Sequence, residues 1–154
     1  MVIGGGLLGL EAAYGLSRRG MQVTVVHLMP TLMECQLDPA SGELLAADLE
    51  RRGIRVLTGA NTETFTGDGR VEAVKLADGR VLLTDLVAMA VGIRPNVALA
   101  KEAGLACGRS VRVDDQIRTS DPAIYAVGEC VGHQSQVFGL VAPRWEQARV
   151  LADA

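Results

Sequence analysis

Apolar residues come in short bursts broken by glycines, and the period of the bursts changes along the chain. Met1-Val2-Ile3 is an apolar run that stops at Gly4-Gly5-Gly6. From Leu7 to Arg19 the positions Leu7, Leu8, Leu10, Ala13, Tyr14 and Leu16 recur at helical spacing, and Gly20 suits a helix terminator. Val23-Thr24-Val25-Val26 is β-branched and bounded by turn residues, which predicts a buried strand. A second helix is expected to open with Asp38 as N-cap and Pro39 in its first turn. Its apolar stripe is read as Leu44, Leu45, Ala47 and Leu49, ending at Gly53, with a third strand over Ile54 to Leu57.

From residue 60 the alternation becomes two-fold. Thr62–Thr66, Val71–Leu76 and Val81–Leu83 are separated by Gly67-Asp68-Gly69 and Asp78-Gly79, which predicts an antiparallel meander. The Asp-Gly pair is expected to form a tight turn with both residues at positive φ. Leu86 to Val91 is unbroken and apolar, as in a central strand covered on both faces. Gly92-Ile93-Arg94-Pro95-Asn96 reads as a crossing point and sets the expected boundary, with domains at 1–95 and 96–154. Beyond it come a short helix over Val97 to Ala103, strands at Val111–Val113 and Ile124–Val127, and a helix from Val141 to Ala154. The expected fold class is α/β: a Rossmann-like parallel sheet with a βαβ dinucleotide unit and an inserted antiparallel β-meander.

At 154 residues, with 49% hydrophobic and 21% charged positions, the chain has the makings of a packed core and not of a disordered segment. A net charge of −3 argues against nucleic acid as a partner. The apolar run Leu86–Ile93 falls far short of the roughly 20 residues a membrane-spanning helix needs, so no membrane role is expected. The N-terminal stretch has no basic leader and carries Glu11, unlike a secretory signal. Cys35, Cys107 and Cys130 form no C-x-x-C, and His27 and His133 stand apart from them, so no metal is expected. Unpaired cysteines without a signal fit reduced thiols in the cytoplasm.

Gly4-Gly5-Gly6-Leu7-Leu8-Gly9 matches G-x-G-x-x-G between a strand and a helix, with a second strand on schedule. In that context Gly4 permits the turn, Gly6 lets a diphosphate approach the backbone, and Gly9 lets helix and sheet pack closely. The helix N-terminus then offers unpaired N–H groups and partial positive charge to phosphate. A phosphate loop of the G-x-x-x-x-G-K-[ST] type is absent, so nucleotide hydrolysis is not supported. The second strand ends on His27, where dinucleotide-binding folds usually place an acid for the ribose 2′-hydroxyl. His27 either hydrogen-bonds the ribose or is a solvated strand end. No arginine lies between His27 and Leu37 to clamp a 2′-phosphate, which leans toward NADH over NADPH.

Three segments then occur in order: Val2-Ile3-Gly4-Gly5-Gly6-Leu7-Leu8-Gly9-Leu10-Glu11-Ala12-Ala13, Gly92-Ile93-Arg94-Pro95-Asn96, and Thr119-Ser120-Asp121-Pro122-Ala123-Ile124-Tyr125-Ala126-Val127-Gly128-Glu129. Together they resemble the FAD-dependent pyridine nucleotide-disulfide oxidoreductase family. Val26-His27-Leu28-Met29-Pro30-Thr31-Leu32-Met33-Glu34 and Gly139-Leu140-Val141-Ala142-Pro143-Arg144-Trp145-Glu146-Gln147-Ala148 narrow the resemblance to the large subunits of assimilatory NAD(P)H nitrite reductases.

The resemblance implies a nicotinamide-binding domain at 1–95 and a returning, partial segment of an FAD-binding domain at 96–154. It implies NAD(P)H and FAD as cofactors, with sirohaem and an iron–sulfur cluster only in domains outside these residues. Gly4, Gly6, Leu7, Leu8 and Gly9 are implied to approach the diphosphate, and Gly92 to line the crossover. Glu11 is implied to face the nicotinamide ribose, against its alternative as an exposed helix charge. Gly128 and Glu129 match the family's flavin-contacting Gly-Asp, with Glu129 one methylene longer than usual. The implied role is to pass hydride from NAD(P)H to FAD and electrons on to nitrite; the alternative is a regulatory or electron-transfer module of a ferredoxin or rubredoxin reductase type. No catalytic residue is identified, and the piece alone is expected to be inactive in NADH oxidation. Its partners would be the remaining domains of the parent enzyme. Apolar positions after Asn96 (Val111, Val113, Ile124, Val127, Leu140, Val141) are expected to need another cover, as in a homodimer, unless the tail is disordered.

Overall fold

The computed structural model describes residues 1–139 and 141–153; Leu140 and Ala154, the latter expected at the end of the last helix, lie outside them. The chain divides into two compact units, Met1–Gly92 and Ile93–Ala154.

In the first unit the order is β1 (Val2–Ile3), α1 (Leu7–Arg18), β2 (Thr24–Val26), α2 (Pro39–Arg51), β3 (Arg55–Leu57), β4 (Thr62–Thr66), β5 (Ala73–Leu76), β6 (Val81–Leu83) and β7 (Ala88–Met89). The parallel sheet runs β3-β2-β1-β7, and the meander forms a separate antiparallel sheet β4-β5-β6. This bears out the α/β expectation of a parallel dinucleotide-type sheet with an inserted meander. Pleating decides which side chains go where, because neighbours along a strand point to opposite faces. The paired residues Val2 and Val25 join Ala13, Leu49, Ile54 and Leu32 in a core under the two helices. Their neighbours Ile3 and Val26, also paired, join Ala60, Val74 and Leu76 in a second core toward the meander. Burial on both faces explains why these strands read as continuous apolar runs.

Several details differ from expectation. The buried side of α2 carries Gly42, Leu45, Ala46 and Leu49, while Leu44 is 72% exposed. That stripe keeps the i, i+3, i+4, i+7 spacing, one position off the expected one, because Gly42 lets the helix approach the backbone of Leu32. At the β5–β6 turn only Gly79 takes positive φ (+90°); Leu76 and Arg80 close a three-residue connection. The expected central strand over Leu86–Val91 shrinks to β7 at the end of the sheet, with Met89 and Val91 each 62% exposed.

The second unit contains α3 (Ala98–Glu102), β8 (Val111–Arg112), β9 (Val131–His133), β10 (Gln136–Val137) and α4 (Val141–Ala152), with a sheet ordered β10-β9-β8. The strand expected at Ile124–Val127 is replaced by a turn with one bridge, Arg118 to Tyr125. The Asp121 carbonyl accepts the Ile124 N–H at 3.0 Å and so satisfies locally a backbone group that a strand would have paired elsewhere. The unexpected β9 takes its place, with Val131 fully buried against β8. Val111, expected to need an external cover, is already buried within this unit, whereas Val141 is 60% exposed.

Two experiments probe this layout. A Cβ on Gly9 would sit 2.0 Å from the Gly4 carbonyl oxygen, whereas one on Gly15 meets nothing within 4 Å. Gly9→Ala is therefore expected to cost about 1–3 kcal/mol in urea unfolding, and Gly15→Ala to gain about 0.5–1 kcal/mol. Equal effects would show that α1 is not pressed onto the turn. Asp38 caps α2 by accepting the Ser41 N–H at 2.8 Å, and bonds from Ser41 hold its carboxyl below the ordinary aspartate value. A carboxyl lowered in the folded state stabilises above its unfolded value and loses that contribution as pH falls through the folded one. Asp38→Asn is thus expected to flatten the acid limb of the stability curve slightly, since the site is exposed; an unchanged limb would contradict it.

Candidate functional site

In the parallel sheet β1 lies between β2 and β7, so the chain leaves β1 in one direction and returns on its other side. Open α/β sheets bind ligands at such a switch point, beyond the carboxyl ends of the strands. Here that position holds the glycine turn Gly4–Gly6 with Ala90–Gly92 directly beside it, and both line an open cleft of about 810 Å³.

The glycines of the turn have different physical duties. Gly4 takes φ +112°, and a Cβ there would lie 2.2 Å from the Ala90 carbonyl oxygen. A Cβ on Gly5 would strike Leu32 Cδ2 at 2.5 Å and the His27 ring at 2.8 Å. Gly9 is pressed on the turn itself, as described above. Gly6 alone faces free space, with nothing within 4 Å of a Cβ. Gly6 also heads α1 without a side-chain cap, and the first helical backbone bond runs from Leu10 N–H to the Gly6 carbonyl. The amides of Leu7, Leu8 and Gly9 have no acceptor among the described residues. A helix start left bare beside open space is a ready anion site.

His27 follows β2 and is only 7% exposed. Its Nδ1 accepts the Gly5 N–H at 3.0 Å, so the ring proton sits on Nε2 and points to Glu34 Oε2 at 3.0 Å. Both ring nitrogens are engaged inside the chain. The loop that brings Glu34 back is firmly tied: Leu32 is fully buried, and Met33 N–H donates to the Gly5 carbonyl at 3.0 Å. Met33 adopts φ +55°, a left-handed conformation costly for a non-glycine residue, which reverses the chain just before Glu34. His27 and Glu34 both line the cleft.

Another wall is the end of the β3–β4 connection with most of β4, Ala60 to Phe65, which the sequence did not mark as part of a site. Thr62 Oγ1 is buried there without a hydrogen-bond partner among the described residues. Gly92, at φ +84°, lines the cleft beside Val91. Glu11 stands exposed on α1 with no ion-pair partner among the described residues. Glu34 appeared in the sequence only as part of a longer match, since nothing periodic links it to His27; the αL turn at Met33 creates the pair.

In the second unit, the Gly128 N–H donates to Gln147 Oε1 of α4 at 2.9 Å, and Glu129 is ion-paired with Arg144 of the same helix. Gly128 has φ +110° and nothing within 4 Å of a Cβ, so the space above it is open. Among the described residues no three His, Cys, Asp or Glu side chains converge as metal ligands, and no helix is long and apolar enough to cross a membrane.

The chain belongs to the pyridine nucleotide-disulphide oxidoreductase family, whose model matches residues 1–150. It is 54% identical over 151 residues to a nitrite reductase [NAD(P)H] of Bacillus subtilis, covering 98% of this chain and 19% of the relative. It is 44% identical to the nitrite reductase (NADH) large subunit of Escherichia coli over 157 residues, covering 99% and 18%. The chain thus spans about a fifth of the length of these relatives. Among solved structures, a ferredoxin reductase from Rhodopseudomonas palustris matches at TM-score 0.81 and 38% identity, over 86% of this chain and 33% of that one. A water-forming NADH oxidase from Lactobacillus brevis bound to NADH matches at TM-score 0.89 and 26% identity, over 99% and 35%. The family is one of NAD(P)H-dependent flavin oxidoreductases.

The fit of Gly5 under His27 gives a direct test. Gly5→Ala is expected to push the ring aside, shift the His27 imidazole NMR signals and cost about 1–3 kcal/mol of stability. Unchanged imidazole signals would show that the ring is not seated on the turn.

Proposed function

We propose that this chain binds NAD(P)H across the Gly4–Gly9 turn and serves a flavin-dependent oxidoreductase that delivers electrons to nitrite. The observation that carries the first part is the bare start of α1 beside the open face of Gly6. The amides of Leu7 and Leu8 would take the diphosphate, Gly4 and Gly9 hold turn and helix together, and Gly92 lets the segment after β7 approach the cofactor. Glu11, without an ion-pair partner among the described residues, is assigned to the nicotinamide side. Nitrite as the electron sink rests on the likeness to nitrite reductases over nearly the whole chain.

The second unit supplies the flavin side of this proposal. Open space above Gly128 and the half-exposed carboxylate of Glu129 suit a cofactor chain that needs a close backbone and a hydrogen-bond acceptor. Flavin, when bound, accepts hydride from the nicotinamide. This chain's part is to hold the donor: it fixes the diphosphate at the helix start and orients Glu129 through Arg144. A second reading, an electron-transfer unit of a ferredoxin reductase, is favoured by the structural likeness to such a reductase. In either case the domains are read as 1–95 for the nicotinamide nucleotide and 96–154 for part of the flavin site. The exposed Val141 and Trp145 are read as surface for a homodimer mate or for further domains.

Gly6→Val tests the binding site, because Gly6 has ordinary φ (−83°) and free space around it. Calorimetric titration should show NADH or NADPH binding to the wild type and at least about tenfold weaker binding to Gly6→Val. Thermal unfolding should stay within a few degrees of wild type. Equal affinity in the variant would overturn the placement of the diphosphate.

A further inference from the structure

We propose that Glu34 reads the adenosine ribose of the bound dinucleotide, selecting NADH over NADPH, and that His27 is its positioning residue; this rests on the dinucleotide reading above. The usual acid at the end of the second strand is absent here, and His27 in its place has no nitrogen to spare. One faces the Gly5 amide and the other faces Glu34. The carboxylate that the cleft presents beside the glycine turn is therefore that of Glu34, whose side chain is 33% exposed. Oε2 is held by His27, which leaves Oε1 to accept a hydroxyl proton.

Its position is built, not incidental. Leu32 anchors the loop in the core, Met33 bonds the Gly5 carbonyl, and the strained φ of Met33 turns Glu34 back toward the strand end. A carboxylate fixed in this way matches a ribose 2′-hydroxyl and repels a 2′-phosphate. The charge balance of the cleft agrees. Among the described lining residues there is no lysine or arginine, and the other acid, Glu63, is already paired with Lys75 at 2.8 Å.

The test is calorimetric titration of the full chain with NADH and with NADPH, read as the ratio of the two affinities. Wild type should favour NADH. Glu34→Gln should lower the ratio about tenfold, the worth of one hydrogen bond to a charged acceptor, and Glu34→Arg should invert it by offering a cation to the 2′-phosphate. His27→Leu should lower the ratio in the wild-type background but leave it unchanged when combined with Glu34→Gln, because a positioning residue acts only through the group it holds. General loss of stability would weaken both nucleotides together and leave the ratio alone. An unchanged ratio in both Glu34 variants, with binding intact, overturns this proposal and spares the dinucleotide reading. Failure of the wild type to bind either nucleotide overturns that reading first, and this one with it.

Discussion

At the carboxyl end of β1 the backbone comes closer to its neighbours than any side chain allows. A Cβ on Gly4 would lie 2.2 Å from the Ala90 carbonyl oxygen, and one on Gly9 would lie 2.0 Å from the Gly4 carbonyl oxygen. Sheet, turn and helix are thereby locked at contact distance, with carbonyl oxygens where methyl groups would otherwise sit. The gain is positional. The first amides of α1 reach the edge of the cleft unpaired among the described residues, and the space within 4 Å of a Gly6 Cβ is open. An anion site made of backbone cannot titrate, so its attraction persists across the pH range in which side chains change charge.

Gly5 extends that lock to the rest of the cleft. Both hydrogen-bonding groups of its peptide are committed within the protein, the N–H to His27 and the carbonyl to Met33. The loop after β2 is therefore held at three points: the ring above Gly5, the amide of Met33 and the buried Leu32. Loops that carry function usually trade rigidity for reach. This one keeps both, because its anchor is the same turn that faces the ligand space.

Much of this was legible in the chain itself, for reasons that differ by element. The glycine turn, α1, β2 and α2 with its Asp38 cap announce themselves because their determinants are local: spacing, a cap and a terminator. The stripe of α2 lies one position from where its spacing alone puts it, since Leu44 and Leu45 compete for the buried side and only tertiary packing at Gly42 decides between them. Ile124–Val127 reads as a strand because it is β-prone, yet Asp121 in the turn before it takes the Ile124 N–H locally and Val131 holds the buried place. The pairing of His27 with Glu34 was the least visible. It depends on a methionine in a left-handed conformation, and no sequence period encodes that.

The choice of histidine at the end of β2 follows from what it must join. On one side stands an N–H donor at Gly5, and on the other a carboxylate at Glu34. A residue between them must accept in one direction and donate in the other. An aspartate or glutamate at position 27 would still accept from Gly5 but would set a second negative charge against Glu34, which disfavours both ionised forms. An arginine or lysine would pair with Glu34 yet offer nothing to the Gly5 amide, leaving a buried donor unsatisfied at a cost of about 1–3 kcal/mol. The imidazole meets both demands at 3.0 Å on each side. Histidine here is the bridge that lets the acid sit one loop away from the strand end while staying as firmly placed as if it grew from the strand.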